Sequence, residues 1–396
     1  MKKTVVVLTA IILVVIVVVS YGVYRLYVPA ENGSKKETVT VVDKTGVSVE
    51  VKVPVERIVN IAPGAVEIIC ALGCGDKIVG RDTYSTFPPS VEEIPIVGDS
   101  SFNPNLEKLL ELQPDLVIAD EGLSAENRKK IEDAGVPVIV EMLMEPRLKT
   151  CMRNLGLILG AEEKANELID FYEYYENLVS ERIKDVAFAE KPSFYFEWYM
   201  PWYSTRPGDS WDELLVAAGG TNIAPEVPIN DPQLSPEFVA EQNPDVIVRM
   251  LTRMDGEDMV AFQVLRNEII NRVALSETTA VKEGKVFVIK NTVLVLRRPI
   301  GLLYLAKWFH PSLFEDIDPT AIHEQMIQKF FAVQLEGVYA YPSSIASPTK
   351  SQSHNERDGT SLLLEKINGI ALVSSICKFD LHYPNNFEQR IKEVRI

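Results

Sequence analysis

The sequence is poor in the side chains that do chemistry. Its 396 residues include four cysteines and four histidines. His310, His323, His354 and His382 all fall in the last quarter, so no histidine-based triad or metal cluster can be spread over two halves of the chain. Cys151 and Cys377 stand alone. Cys70 and Cys74 are four apart, but Cys74 lies past the helix-stopping Gly73 and no histidine or second pair completes a metal site. All four read as small buried hydrophobes. Pro207-Gly208-Asp209-Ser210 is not a nucleophile elbow, and Gly73-Cys74-Gly75 lacks the third glycine of a dinucleotide loop. These absences argue against an enzyme. Basic runs and aromatic-basic stripes are missing as well, and at a net charge of −16 a nucleic-acid surface is excluded.

The chain has ordinary globular composition, 46% hydrophobic and 24% charged, and is long enough for two domains. Lys2 and Lys3 precede an apolar run from Val5 to Val19 that continues to Val28 with Arg25 its one charge. Such a run spans a bilayer and is apolar on all faces. Two membrane readings are open, a cleaved signal peptide or a retained anchor. The length of the run and the lack of a small-x-small cleavage site favour the anchor. Segment 1–29 is therefore read as a transmembrane anchor or signal, with its basic end inside and the rest of the chain outside. A polar tether, 30–37, follows and contains Asn32-Gly33-Ser34, a candidate glycan acceptor. No cysteine follows the run directly, so a lipid-modified N-terminal cysteine is not available.

Beyond the tether the chain repeats itself. Glu107 is followed, after six intervening residues, by Pro114-Asp115-Leu116-Val117-Ile118, and Glu237 by Pro244-Asp245-Val246-Ile247-Val248 at the same spacing. Each copy reads as a short helix, a Pro-Asp turn that ends it, and a buried strand. Asn103-Pro104 and Ser235-Pro236 are the expected helix starts, which puts Glu107 deeper in its helix than Glu237. A second pair, Glu67 to Gly73 and Glu213 to Gly219, reads as an acidic helix start, an apolar helix and a glycine stop. The order is the same in both halves, with a shorter connection in the second. Two α/β lobes of one design, each with a mostly parallel sheet, are implied.

The hairpin 38–53 opens the first lobe, 38–150, whose strands are expected at 57–61, 77–80, 116–119 and 136–140. A helical pattern over 151–186, weakly broken at Gly156 and Gly160, forms a linking spine. The second lobe, 187–342, has strands at 193–198, 246–250 and 285–290, and a helix at 301–309 with Leu302, Leu305, Ala306 and Phe309 inward. The segment 343–396 is a polar linker and tail to which no function attaches.

Arg57 to Glu67, Ala71 to Gly80, Ile96-Val97-Gly98, Asn105-Leu106-Glu107, Gln113 to Ile118, Ala218-Gly219-Gly220, Ser235-Pro236-Glu237 and Asn243 to Ile247, in that order and spacing, resemble one family. It is that of the extracellular substrate-binding proteins of metal-chelate importers, which handle iron-siderophores, haem and cobalamin for ATP-driven transporters. The resemblance implies two α/β lobes joined by one long helix, no cofactor and no chemistry. It also implies capture of a metal chelate, an iron-siderophore foremost and a corrinoid or haem otherwise, for delivery to an ABC permease dimer with its ATPase subunits. A monomer on the outer membrane face is expected. A metallocluster scaffold on the same paired-lobe fold is the reading from another class. In the family one surface glutamate on each lobe salt-bridges to permease arginines, and Glu107 and Glu237 match those positions.

Ligand contacts are expected from loops at the carboxyl ends of the strands. Pro63, Arg81 and Tyr84 are the candidates in the first lobe; Tyr199, Trp202, Arg206, Arg253 and Arg297 are those in the second. The aromatics of Tyr195 to Tyr203 suit a bulky chelate, with Trp202 and Tyr199 favoured over Trp198, and the arginines suit carboxylates on an anionic complex. No metal ligand is expected from the protein.

Overall fold

The computed structural model describes residues 37–144, 146–229, 231–252 and 258–343. The apolar segment 1–29, the tether up to residue 36 and the tail from residue 344 lie outside the described residues, as does Arg253. No helix among the described residues is long and apolar enough to cross a membrane.

An antiparallel hairpin, β1 (Glu37–Val42) and β2 (Ser48–Val53), leads into the first lobe. That lobe runs β3 (Ile58–Asn60), α1 (Ala65–Ala71), β4 (Ile78–Arg81), α2 (Leu106–Glu111), β5 (Leu116–Ala119), α3 (Ala125–Asp133) and β6 (Val138–Val140). Two helices follow, α4 (Leu148–Leu159) and α5 (Glu162–Ile183). The second lobe runs β7 (Ser193–Glu197), α6 (Ser210–Ala217), β8 (Thr221–Asn222), α7 (Pro236–Gln242), β9 (Val246–Leu251), α8 (Met259–Ile270), α9 (Thr279–Lys282) and β10 (Val286–Lys290). It closes with α10 (Asn291–Val295), α11 (Arg298–Phe309), α12 (Pro319–Phe331) and β11 (Ala340–Tyr341).

The sheets carry the same topology. In the first the order is β4-β3-β5-β6, all parallel, and in the second β8-β7-β9-β10 with β11 added antiparallel at the edge. Counted within each lobe, both read second-first-third-fourth. The strands are buried on both faces, which is why they read as continuous apolar runs.

The repeated motif is duplicated in atomic detail. Asn105 and Ser235 cap α2 and α7, their side chains accepting the Lys108 and Phe238 amides at 3.0 and 3.1 Å. Both glutamates therefore occupy the second helical position, and the expected offset between them is corrected. The cap of the first copy is Asn105 because Pro104 is held in a bridge to Gly98, ahead of the helix. Each helix ends at a residue with left-handed backbone, Gln113 at φ 48° and Asn243 at φ 47°. The motif aspartates then pin the neighbouring strand: Asp115 accepts the Glu56 and Arg57 amides at 3.0 and 2.9 Å, and Asp245 accepts the Ser193 amide and hydroxyl, both at 2.8 Å. The second repeat pair also corresponds, since Gly73 and Gly219 both have positive φ and the next amide bonds back to Ile69 O and Leu215 O.

The expected spine, 151–186, is two helices. Gly160, at φ 64°, caps α4 and turns the chain, so the long linking helix is α5 alone, 22 residues or ~33 Å at 1.5 Å per residue. It packs on α11, and the Tyr172 hydroxyl donates to Leu296 O. The single inward face expected for 301–309 is also too narrow a reading. Nearly every residue of α11 is buried, because it lies against α5, α6 and α12 while Trp308 stacks on Phe287 of β10 at 4.3 Å.

Candidate functional site

In both sheets the strand order reverses between the first and third strands, β3/β5 and β7/β9. Open α/β sheets bind ligands outside the carboxyl ends of strands at such a switch point. After β7 the chain enters an aromatic loop, where the Trp198 amide donates to Tyr203 O at 3.1 Å and the Tyr203 amide to Met200 O at 3.1 Å. The Trp198 and Tyr199 rings meet edge to face at 4.1 Å, Tyr199 lies 5.2 Å from Tyr203, and Trp198 lies 6.4 Å from Trp211 of α6. Trp198, Tyr199, Tyr203 and Trp211 are half-buried and form one aromatic face. The indole nitrogen of Trp198 is buried with no hydrogen-bond partner among the described residues.

In the first lobe the loop after β4 is shaped by Asp82, a fully buried carboxylate. It accepts the Tyr84 and Ser85 amides at 2.7 and 2.9 Å and the Ser85 hydroxyl at 2.5 Å, with the Asn60 side-chain amide at 3.4 Å. Burial pushes the Asp82 carboxyl up, against the downward pull of these hydrogen bonds. The turn presents Tyr84, which is 55% exposed. Phe102, on the neighbouring loop, is 71% exposed.

The lobes meet along a seam. Arg297 donates to Glu67 through Nε at 2.7 Å and Nη2 at 3.3 Å, a buried ion pair that joins the start of α11 to α1. The Arg297 guanidinium sits 4.3 Å above the Phe87 ring, and Phe87 meets Phe331 edge on at 5.0 Å. Its Nη1 lies 3.0 Å from His323 Nε2. Because a guanidinium only donates, Nε2 accepts and the imidazole is neutral with its proton on Nδ1.

Burial, then the Arg297 charge, pushes the His323 imidazole down from 6.5 to about 2. Burial lowers His310 too. The unfolded chain takes up protons below the ordinary histidine value while these groups in the folded chain do not. Unfolding free energy is therefore expected to fall as pH drops from that value toward the folded one, by about 1.4 kcal/mol per pH unit for His323, with His310 acting in the same direction. Denaturant midpoints near neutrality and near pH ~5 measure the fall, and His323→Gln is expected to shrink it. An undiminished fall in the variant would overturn the assignment.

The residues expected to line the cleft are thus divided. Pro63, Tyr84, Tyr199 and Arg206 stand partly or fully exposed on the strand-end loops. Arg81 and Arg297 do not stand free. Arg81 is buried and donates to the carbonyls of Val91, Asp82, Ser85 and Glu92 at 2.8, 3.1, 3.1 and 2.9 Å, bracing its own loop. Trp202 is turned toward the lobe, its ring beneath the Arg272 guanidinium at 4.6 Å and near Tyr195, while Trp198 packs on the core beside Tyr199 and Trp211. Asp82, Glu197 and Arg249 fall in the strand-end loops where ligand contacts are expected, at 81–87, 197–206 and 249–253, though none of them is an individual candidate. Glu67 carries a signal only as an acidic helix start, and Arg272 carries none. Among the described residues no cluster of three or more metal-ligating side chains is placed to hold a metal ion.

The periplasmic binding protein family matches residues 58–293, more than half of the chain. An ABC transporter substrate-binding lipoprotein of Bacillus subtilis, described as uncharacterized, is 29% identical over 289 residues, covering 70% of this chain and 87% of that protein. The vitamin B12-binding protein of Vibrio parahaemolyticus is 28% identical over 211 residues, covering 52% of this chain and 75% of its own. The crystal structure of the TroA-like periplasmic binding protein FepB from Veillonella parvula aligns with a TM-score of 0.66 and 25% identity, over 76% of this chain and 99% of that one. The chain belongs to the periplasmic binding protein family and is the substrate-binding component of an ABC transporter.

Proposed function

We propose that this component captures a bulky metal chelate, an iron-siderophore or a corrinoid, between its lobes and delivers it to an ABC permease. The observation that carries the reading is the aromatic face of Trp198, Tyr199, Tyr203 and Trp211 at the β7/β9 switch point. Broad rings with a polar edge suit a large, partly apolar ligand better than a bare oxyanion. Tyr84 and Phe102 supply further aromatic surface from the first lobe, and Arg206 a positive charge at the rim. The vitamin B12-binding relatives support a corrinoid in particular. The apolar segment 1–29 holds the protein at the outer face of the membrane, and Glu107 and Glu237 meet the permease.

A thermal-shift panel of cyanocobalamin, haem, ferric siderophores and molybdate tests this. At a hundredfold excess over Kd a true ligand adds about 2.7 kcal/mol, which raises Tm by several degrees. A shift with cyanocobalamin or a ferric siderophore is the expected result. A shift with molybdate alone would replace the reading with an oxyanion carrier.

A further inference from the structure

The aromatic loop is tied to the second lobe by an ion pair that lies beneath it. Glu197, the last residue of β7, has no exposed surface. Arg272 meets it with both ends of its fork, Nη1 to Oε2 at 2.5 Å and Nη2 to Oε1 at 3.0 Å. Oε2 also accepts the Tyr195 hydroxyl and the Trp202 backbone amide, each at 2.8 Å. The partners of one carboxylate thus come from the strand, from the loop and from the segment after α8. Arg249, buried on β9, grips the loop from its other end, donating to the carbonyl of Trp198 and to that of Tyr199 at 3.3 Å.

The loop needs holding. Trp202 has φ 70°, a left-handed backbone that a bulky side chain adopts at a cost of about 1–3 kcal/mol and keeps only where its surroundings over-determine it. Here Glu197 fixes its amide while Arg272 lies over its ring. A buried ion pair in general adds little net stability compared with apolar side chains of the same volume. What this pair does add is geometry, because the fork sets both the angle of Glu197 and the place of Trp202. We propose that Glu197 and Arg272 are positioning residues: together they hold the loop so that the half-buried Trp198 and Tyr199 rings stand as a preformed platform. The proposal rests on the reading of that loop as the ligand-facing surface, since its value to the protein lies in preorganised binding.

The test is hydrogen exchange on the full chain, without ligand, of Arg272→Met combined with Glu197→Gln, a pairing that removes both charges of the fork and leaves Arg249, whose Nε lies 3.5 Å from Glu197, on the Trp198 and Tyr199 carbonyls. The amides of Trp198, Trp202, Tyr203 and Ser204 are expected to exchange about tenfold faster while β10 and α11 keep their protection. Arg272→Lys, which keeps the charge and loses the fork, is expected to fall between. Loop protection unchanged from wild type in all variants would overturn the proposal, as would a uniform loss across the second lobe, which marks a merely structural pair. Equilibrium dialysis with cyanocobalamin then separates the two claims. A matching drop of about tenfold in affinity in the paired variant and in Tyr199→Ala supports both. Faster loop exchange with affinity unchanged in both variants keeps the clamp and overturns the loop as the ligand face.

Discussion

Arg297→Met is expected to lower the unfolding free energy by about 3–5 kcal/mol, the cost of leaving a buried charge without its partner. The abandoned group is Glu67, 6% exposed on α1, whose carboxylate takes both ends of the Arg297 fork. Glu67→Leu combined with Arg297→Met removes both charges and is expected to recover most of the loss, because the pair sits among Phe87, Phe331 and Tyr339, where apolar atoms are at home. Denaturant unfolding of the three variants measures this. A single variant as stable as wild type would sink it, and so would a double variant worse than either single.

The same pair bears on how the lobes move. It bridges residues 230 apart in sequence, beside Gly64, where even a Cβ would come within 2.7 Å of the Leu296 side chain. With α5 running behind the seam as one unbroken helix, the lobes are expected to close little on binding. Scattering profiles with and without ligand check that. The double variant, which keeps the stability but not the directional bond, is expected to show the wider spread of lobe distances.

The frame of the molecule was legible because it is local. A Pro-Asp turn cannot continue a helix and a run of branched apolar residues buries on both faces, so strand positions, the shared lobe order and the duplicated unit followed from short windows of sequence. What escaped depended on residues far apart in the chain. Arginine is ambiguous in a sequence, since the same side chain reaches a ligand, a carbonyl or a carboxylate. Arg81 closes on carbonyls of its own loop, Arg297 crosses the seam, and Arg272 finds Glu197 from 75 positions away. Glu67 and Glu213 are matched by the repeat, yet the first is buried against Arg297 and the second is exposed. Duplication preserves the frame and leaves each copy free to use its side chains differently.

The glutamates of the other repeat pair have not diverged in this way, and that supports the docking prediction. Glu107→Ala with Glu237→Ala is expected to abolish uptake in cells while leaving ligand affinity and Tm unchanged. Both carboxylates are exposed, and both stand at the second position of a capped helix, six residues before a left-handed turn that leads into the third strand of its sheet. The helix dipole makes an acidic residue comfortable there, worth about 0.3–1 kcal/mol, and by itself explains a glutamate in either lobe. It does not call for the same position in both. A partner with two-fold related basic groups does, and paired charges on a rigid body act mainly through orientation and association rate. Each single variant is therefore expected to slow uptake and to weaken its dependence on ionic strength, with the double variant showing the full loss. Transport by the double variant at the wild-type rate would end the docking assignment, and a matching fall in ligand affinity would place these residues in the binding cleft instead.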